Sequence, residues 1–322
     1  MPVSVIAVDG LKVSLLYAKR MSKSIDRLTL LETFARIAER GSISAAARDL
    51  GMSQASASRQ LKELETRLGA HLVRRTTHSL LLTQAGQACL ADARGLLQSW
   101  EAMQERHMGD PSVLTGKLKV VAPVGLGQRH LSGALVKFHD AHPGVDVTWH
   151  LQDDTLNFIE SGCDLWMKIG PVPDDRLIAR GLGKVERLVV AAPHLVAGEP
   201  TPKAVATGPW IALSPFEANH IPLANTRGRQ TTIDTHPTLT TNNLFAAYEA
   251  AKKGVGFAVM PRWFVEEDLN TGTLIDILPA WRAAPLTLYA AYLPHDRQSL
   301  RLQAMIDHME TAVAKTAGIL PI

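Results

Sequence analysis

Apolar residues recur at helical spacing through the first third of the chain and are interrupted by small or polar residues. Leu30, Phe34 and Ile37 lie three to four residues apart, which predicts a helix over residues 25–40. Residues 41–68, GSISAAARDLGMSQASASRQLKELETRL, continue as two further helices that meet at a tight glycine turn. The pattern therefore predicts three closely spaced helices in this part of the chain.

The third of these helices separates apolar from polar side chains. Its apolar residues follow steps of four, three and four and predict a buried stripe of Ala57, Leu61, Leu64 and Leu68. The opposite face is rich in hydroxyl groups and carries two cations. Such a helix, crossed by an alanine-rich partner, is typical of a helix-turn-helix that presents a polar face to duplex DNA. An ordinary helical hairpin in a bundle core is the alternative.

A short hairpin follows the three helices. Residues 72–82, LVRRTTHSLLL, predict two strands around a tip near Thr77 and His78, with Arg74 and Arg75 beside that tip. In a wing, such cations reach neighbouring phosphates or the minor groove. A charged hairpin that only faces solvent is the alternative.

The candidate DNA contacts combine the polar helix face with this hairpin. They are Ser53, Gln54, Ser56, Ser58, Arg59, Lys62, Arg74, Arg75 and Thr77. Arg59 is suited to bidentate pairing with guanine and Gln54 to pairing with adenine. Lys62 and the hairpin arginines are assigned to phosphates, which set affinity and its salt dependence without specifying sequence.

A long helix, capped by Thr83, is predicted to run to about His107. Its heptad-like apolar seam consists of Leu90, Ala93, Leu97 and Trp100, with Leu96 widening it. A seam of this length on a small domain needs a partner, and a two-fold dimer would present two recognition helices to two half-sites.

After Gly116 strands alternate with helices, which predicts a parallel α/β sheet covered on both faces. The alternation restarts after Arg187, so we expect two lobes with a ligand-binding cleft between them. The predicted domains are an N-terminal extension (1–24), a winged helix-turn-helix (25–82), a linker and dimerisation helix (83–109), and an effector-binding domain (116–320) whose lobes span about 116–188 with 290–320 and about 189–289.

Composition and charge narrow the classes of protein. The formal charge is +4 over residues 1–110 and −1 over the remainder, so the basic excess lies in the segment predicted to meet DNA. No apolar run reaches membrane-spanning length, and no membrane partner is expected. The first residues lack the features of a signal peptide, so we interpret them as an extension of a cytoplasmic protein, with Met21 as an alternative start. Cys89 and Cys163 are interpreted as buried small residues, a redox-sensing pair being the alternative.

The segment from Asp26 to Gly86 resembles the winged helix-turn-helix of the LysR-type transcriptional regulators. The resemblance continues through APVGLGQRHL, HPGVDV, DLWMKIG, RLVVAAPHLV and GVGFAVMPRWFVEEDLNTGTLIDILPAW, in the order of that family. It implies a cytoplasmic bacterial DNA-binding regulator, a homodimer or homotetramer, whose two-lobed domain is like a periplasmic binding protein and senses a small molecule. Three departures stand out: Ala55, Ser56 and Ala57 replace a common Pro-Ala-Val, Gly125 replaces a hydroxyl residue, and Lys168 replaces a frequent arginine.

The candidate effector contacts lie at strand ends and before a predicted helix. They are Pro123, Gly125, Gly127, Ser214, Thr241 and Asn242. Thr241 and Asn242 are suited to an anion, although plain helix capping explains each of them equally well. The effector is expected to be an organic acid or an aromatic compound, with no cofactor and no metal.

The chain carries no metal-ligand, Walker or nucleophile-elbow motif, so an enzyme is not expected. The function predicted is a ligand-responsive transcriptional regulator that binds a pseudo-palindromic operator. Two rivals stay open at this point. One is a solute-binding module with an incidental helical bundle, and the other is an α/β enzyme with a fused DNA-binding domain.

Overall fold

The computed structural model describes residues 26–75, 80–108, 113–198, 200–216 and 219–322. The predicted extension over residues 1–24 and the hairpin tip at Thr77 and His78 lie outside the described residues. The chain divides into two compact units, Met1–Trp100 and Glu101–Ile322, and each is described by itself.

The N-terminal unit is helical with a small antiparallel hairpin. Its elements are α1 (Arg27–Arg40), α2 (Ile43–Asp49), α3 (Gln54–Leu68), β1 (Val73–Arg75), β2 (Leu80–Leu82) and α4 (Gln84–Met108), which extends into the second unit. Serine caps start α2 and α3, and Gly41 and Gly69 end α1 and α3 in the left-handed conformation that glycine adopts without strain. Thr83 caps α4 by accepting a hydrogen bond from the Gly86 amide at 2.9 Å, as predicted.

The core of this unit follows the predicted pattern, with one correction. Phe34, Ile37, Ala57 and Leu61 are buried. Leu68, predicted to extend the buried stripe, is 51% exposed because it occupies the last residue of α3, where the helix ends at the glycine cap.

The predicted apolar seam of α4 has a buried part and an exposed part. Leu90 and Ala93 are fully buried within the chain, so they are not available to a second copy. Leu96 and Trp100 are 56% and 43% exposed, and Met103 is exposed one turn further on. The unpartnered part of the helix is therefore shorter and starts later than the sequence predicted.

The C-terminal unit is an α/β structure. In chain order it contains β3 (Gly116–Ala122), α5 (Ser132–Ala141), β4 (Val145–Leu151), α6 (Phe158–Ser161), β5 (Leu165–Ile169), β6 (Ile178–Ala191), α7 (Pro202–Ala206), β7 (Trp210–Leu213), β8 (His220–Asn225), β9 (Gln230–Asp234), β10 (Pro237–Thr241), α8 (Leu244–Lys252), β11 (Phe257–Pro261), α9 (Arg262–Thr271), β12 (Ile275–Asp276), β13 (Trp281–Tyr292), α10 (Leu300–Ala314) and β14 (Ile319–Leu320).

Among the described residues these strands form a twelve-stranded sheet with the central order β10-β7-β11-β6-β13-β5-β3-β4. The pairs β3–β4, β3–β5, β7–β10 and β7–β11 are parallel, as the alternation of strands and helices predicted. The long strands β6 and β13 pair antiparallel with each other and with their neighbours β11 and β5, so the sheet as a whole is mixed. They join the two groups of parallel strands, and apolar side chains on both groups share one large core.

Two helices of this unit begin at other residues than the sequence predicts, which are 128 for the first (128–141) and 155 for the second. The first begins earlier, because one continuous helical run consists of a turn at Val124–Leu126, a π-helical turn at Gly127–Leu131 and α5 (Ser132–Ala141). The helix expected from residue 155 is only Phe158–Ser161, because Asn157 caps it by accepting from the Glu160 amide.

Candidate functional site

The polar face of α3 is built from its N-cap onwards. The Ser53 hydroxyl oxygen accepts a hydrogen bond from the Ser56 amide at 3.2 Å and donates one to Ser56 Oγ at 2.9 Å. One of the four amides that a helix leaves unpaired at its start is thereby satisfied. Both hydroxyls lie at the N-terminal turn, where the amides and helix dipole favour an anion.

Arg59 extends this face by one turn. Its guanidinium donates to Ser56 Oγ at 3.3 Å, and its side chain is exposed beside that of Lys62. Gln54 is exposed as well, whereas Ser58 is half-buried. The buried Ala57 fixes which side of α3 faces the core, so these polar groups share the outward side.

The hairpin arginines are described only in part. Arg74 pairs with Leu81 across the antiparallel ladder and has an exposed side chain. The backbone of Arg75 pairs with Leu80, but its side chain, like Thr77, lies outside the described residues.

A cavity in the C-terminal unit contains four of the six predicted effector contacts. Pro123, Gly125, Ser214 and Asn242 line it, at the carboxyl ends of β3 and β7 and before α8. Ligands commonly bind at the carboxyl ends of parallel strands.

Gly127 and Thr241 do not line this cavity. A Cβ on Gly127 would stand 2.3 Å from Leu151 Cδ2, so this glycine permits close packing. The Thr241 hydroxyl accepts from the Asn243 amide, and it is Asn243 that caps α8 by accepting from the Ala246 amide at 3.1 Å. Asn242 donates to Asp154 Oδ1 at 3.2 Å.

Gly125 lies against apolar side chains of the same cavity. A Cβ at this position would be 3.0 Å from Leu244 Cδ2 and 3.3 Å from Trp263 Cη2. The serine or threonine that is common at this position in the family that the chain resembles would therefore lie in close contact with the apolar side chains of Leu244 and Trp263.

Charged residues that were not among the predicted contacts line the same cavity. They are Asp153, Lys168 and Arg187. The sequence marks Lys168 only as a departure from the family that the chain resembles. Asp153 lies two residues after the end of β4 (Val145–Leu151), and a titratable residue just beyond a strand's carboxyl end was the sequence signal available for it.

Burial shifts the pKa values of two of these groups in opposite directions. Burial lowers the pKa of the Lys168 ammonium, while the nearby Asp153 charge raises it. Burial raises the pKa of Asp153, against the hydrogen bond it accepts from the Val124 amide at 2.9 Å. Desolvation thus acts on a pair of opposite charges at the cavity wall.

The two cysteines differ in burial: Cys163 is buried as predicted, whereas Cys89 is only partly buried, which corrects the prediction for that residue. Both are free, and burial raises the pKa of each thiol, that of Cys163 most strongly. A thiol held protonated is a poor nucleophile, which favours the packing interpretation. Within the described part of the chain, no three His, Cys, Asp or Glu side chains cluster as metal ligands would. The described helices include no candidate for a membrane span.

Both units match families of known proteins. Residues 28–87 match the family described as bacterial regulatory helix-turn-helix protein, lysR family, and residues 111–314 match the LysR substrate binding domain. The chain is 30% identical to the uncharacterized HTH-type transcriptional regulator YhjC of Escherichia coli, over 86% of this chain and 94% of that protein. It is also 30% identical to the HTH-type transcriptional regulator PtxR of Pseudomonas aeruginosa, over 90% of this chain and 95% of that protein.

A solved structure agrees with the fold. ArgP from Mycobacterium tuberculosis superimposes with a TM-score of 0.65 and 21% identity, covering 92% of this chain and 99% of that one, a likeness of fold alone. Together with the two matched domains and the relatives named as regulators, this places a helix-turn-helix and an effector-binding domain in one chain. The protein belongs to the LysR family of transcriptional regulators.

Proposed function

We propose that the protein acts as a regulator and not as an enzyme, by laying the outward face of α3 in the major groove of an operator. The observation that carries this is the division of α3, with Ala57, Leu61 and Leu64 buried and the hydroxyl, amide and cationic groups outside. A helix supported from behind in this way can approach base edges closely. A regulator of transcription works where the chromosome is, so we infer a cytoplasmic location.

The residue roles follow from position and chemistry. Arg59 reads guanine and Gln54 reads adenine, each through paired hydrogen bonds, while Ser53, Ser56 and Ser58 approach phosphates or base edges at the start of the helix. Lys62 and the hairpin residues Arg74, Arg75 and Thr77 hold the sugar-phosphate backbone.

Two copies of the chain would present two such helices. The exposed residues Leu96, Trp100 and Met103 of α4 supply an apolar surface for self-association, within the proposed linker over residues 83–109. The winged domain would span residues 25–82 and the effector domain residues 116–320, with lobe boundaries near 189 and 290. A dimer of this kind favours a pseudo-palindromic site, since its two-fold axis is matched by that of the DNA.

The effector would bind in the cavity that Pro123, Gly125, Ser214 and Asn242 line, with Gly127 and Thr241 supporting its walls. By linkage, a ligand changes DNA binding only as far as it prefers one arrangement of subunits over another.

A gel-shift assay with the DNA flanking the protein's own gene tests the regulator. We expect a retarded band at low salt that survives an excess of random duplex. Absence of any retarded band would contradict the proposal and favour a solute-binding module, and turnover of a cavity ligand would favour an enzyme.

Ser53 allows capping and DNA contact to be separated. Ser53→Ala is expected to lower the free energy of unfolding by about 1 kcal/mol, because the Ser56 amide loses its acceptor. Ser53→Asp preserves the cap but places a negative charge towards phosphate, so its stability should match the native protein while operator binding falls. Urea unfolding and fluorescence anisotropy measure the two effects. Unchanged operator affinity in Ser53→Asp would remove Ser53 from the interface.

A further inference from the structure

The π-helical turn at Gly127–Leu131 directs two adjacent side chains onto helix α9. Arg129 Nη1 donates a hydrogen bond to the Phe264 carbonyl oxygen at 2.6 Å. The next residue, His130, packs edge-to-face against Trp263, with the ring centres 5.3 Å apart. Single π-helical turns are rare and often occur at functional sites. Here two neighbours on the turn, in the first proposed lobe, contact two neighbours on a helix of the second.

The Arg129 guanidinium lies over aromatic rings. Its central carbon, Cζ, is 4.0 Å from the centre of the Phe264 ring and 5.7 Å from the centres of the Phe245 and Tyr248 rings. The face of an aromatic ring attracts a cation electrostatically. Phe245, Tyr248 and Phe264 therefore form an aromatic pocket for this guanidinium.

The aromatic pocket is ordered by contacts between α8 and α9. Phe264 is 1% exposed and packs edge-to-face against Phe245 and Tyr248, with ring centres 5.0 and 5.2 Å apart. The Tyr248 hydroxyl donates to Asp268 Oδ2 at 2.8 Å, a bond that joins α8 to α9. Arg129 thus contacts a surface whose side chains already hold one another in place.

Helix α9 also supplies part of the cavity wall. Trp263 lines the cavity, as do Leu244 at the start of α8 and Gly125 just before the π-helical turn. A Cβ at Gly125 would be 3.3 Å from Trp263 Cη2 and 3.4 Å from Phe264 Cε2. Phe264 therefore lies close both to the cavity wall and to Arg129, and a displacement of α9 would move that wall.

The contacts of Arg129 are more favourable than those of His130. His130 Nε2 and Trp263 Nε1 are both buried without a hydrogen-bond partner among the described residues. Such nitrogens oppose the packing of the two rings, because each has lost its hydrogen bonds to water. The Arg129 guanidinium, by contrast, both donates a hydrogen bond and lies over a ring. The attachment of α9 to the turn therefore depends mainly on Arg129.

We propose that Arg129 is a positioning residue of the effector cavity, which fixes α9 against the π-helical turn and thereby holds Trp263 in the cavity wall. The inference rests on the proposed function, in which this cavity binds the effector. Arg129 is exposed and is not one of the described residues that line the cavity. It would set the shape of the site through Phe264, without touching a ligand.

Hydrogen exchange on the full-length protein measures how often α9 detaches, since a protected amide exchanges only when its structure opens. Arg129→Met retains the apolar stem and loses both the charge and the donor. The amides of α9 should then exchange roughly 5- to 30-fold faster than in the native protein. The amides of β8 and β9, which take no part in these contacts, should exchange at the native rate.

Three further variants separate the charge from the hydrogen bond and from the turn itself. Arg129→Lys keeps a cation over the rings and should restore most of the protection. Arg129→Gln keeps a donor without the charge and should restore little, and it takes the place of Arg129→Met should that variant fail to fold. Gln128→Met, at an exposed position of the same turn, is the matched control and should exchange as the native protein does.

Fluorine NMR reports on the cavity wall directly. With 5-fluorotryptophan incorporated at the six tryptophans, the Trp263 resonance is identified by its loss in Trp263→Phe. It should shift or broaden in Arg129→Met and return towards its native position in Arg129→Lys. The resonance of Trp281, on β13, should not change in either variant.

Three results would overturn the proposal: native exchange of α9 in Arg129→Met, equal acceleration in α9, β8 and β9, or an unchanged Trp263 resonance. Equal acceleration would indicate a general loss of stability. Gel shifts with the same preparations separate this from the proposed function. Specific DNA binding by the native protein together with any of these three results would reject the positioning role alone. The expected response of α9, without DNA binding by the native protein, would reject the regulator.

Discussion

Arg59→Ala is expected to weaken binding to the operator by roughly 5- to 150-fold, while binding to random duplex falls far less. A bidentate contact to guanine contributes about 1–3 kcal/mol of discrimination, and each 1.4 kcal/mol corresponds to about tenfold in affinity. In the free protein the guanidinium is exposed and bonded to the neutral Ser56 hydroxyl, so no buried charge is left behind by its removal. Fluorescence anisotropy at fixed salt, with operator and scrambled duplexes, measures both affinities.

Arg74→Ala is the matched control for this prediction. Arg74 is an exposed cation on β1 and is assigned to phosphate. Its loss should weaken operator and random duplex alike and reduce the slope of log affinity against log salt by about 1. Equal losses on both duplexes for both variants would contradict the division into a base-reading and a phosphate-holding arginine.

Asp296→Asn is expected to stabilise the C-terminal unit at alkaline pH and to flatten its pH dependence. Asp296 is 3% exposed, and burial, assisted by the nearby Asp164 charge, raises its pKa to about 8. The Arg301 guanidinium, which pairs with Glu101, acts in the opposite direction but does not cancel the cost of burial. An asparagine carries no charge to bury.

The sign follows from proton binding. The native state retains the Asp296 proton up to about pH 8, whereas the unfolded chain loses it near pH 4. The native state therefore binds more protons between these values. This contribution to stability is fully present below about pH 4 and is lost as pH rises through 8.

Urea unfolding between pH 5 and pH 8.5 measures the effect. The native protein should lose stability over this window relative to the variant, by more than about 1.4 kcal/mol, the equivalent of one pKa unit. Asp146→Asn, at an exposed position on β4, is the control and should follow the native profile. Parallel profiles for the native protein and Asp296→Asn would contradict the burial of a carboxyl group with a raised pKa.

The helices of the N-terminal unit were predictable because their signals are local. The Ser42 and Ser53 caps and the glycine stops depend on residues within one turn of each helix end. The exposure of Leu68 and the burial of Leu90 were not predictable, since both depend on where a helix meets the rest of the unit. A periodic pattern predicts which face of a helix is apolar, but it does not predict how much of that face packs against the rest of the protein.

The C-terminal unit shows a different limit. Its parallel strands follow from the alternation of strands and helices, but the antiparallel pairing of β6 with β13 joins residues about a hundred positions apart. Likewise Gly125 and Ser214 could be proposed from strand ends, whereas Lys168 and Phe216 become neighbours only through tertiary folding. Contacts of high sequence separation leave no local signature, and much of the cavity's chemistry depends on them.

Methylation interference on the DNA flanking the protein's own gene tests most directly whether α3 lies in the major groove. Guanine N7 faces that groove, so methylation of N7 should block binding. The guanines at which methylation blocks binding should form two clusters, separated by one helical turn of roughly 34–36 Å or by a multiple of it. With Arg59→Ala, interference should disappear at one guanine of each cluster and persist at the others. Interference confined to adenine N3 in the minor groove, or an unchanged pattern in the variant, would contradict the account.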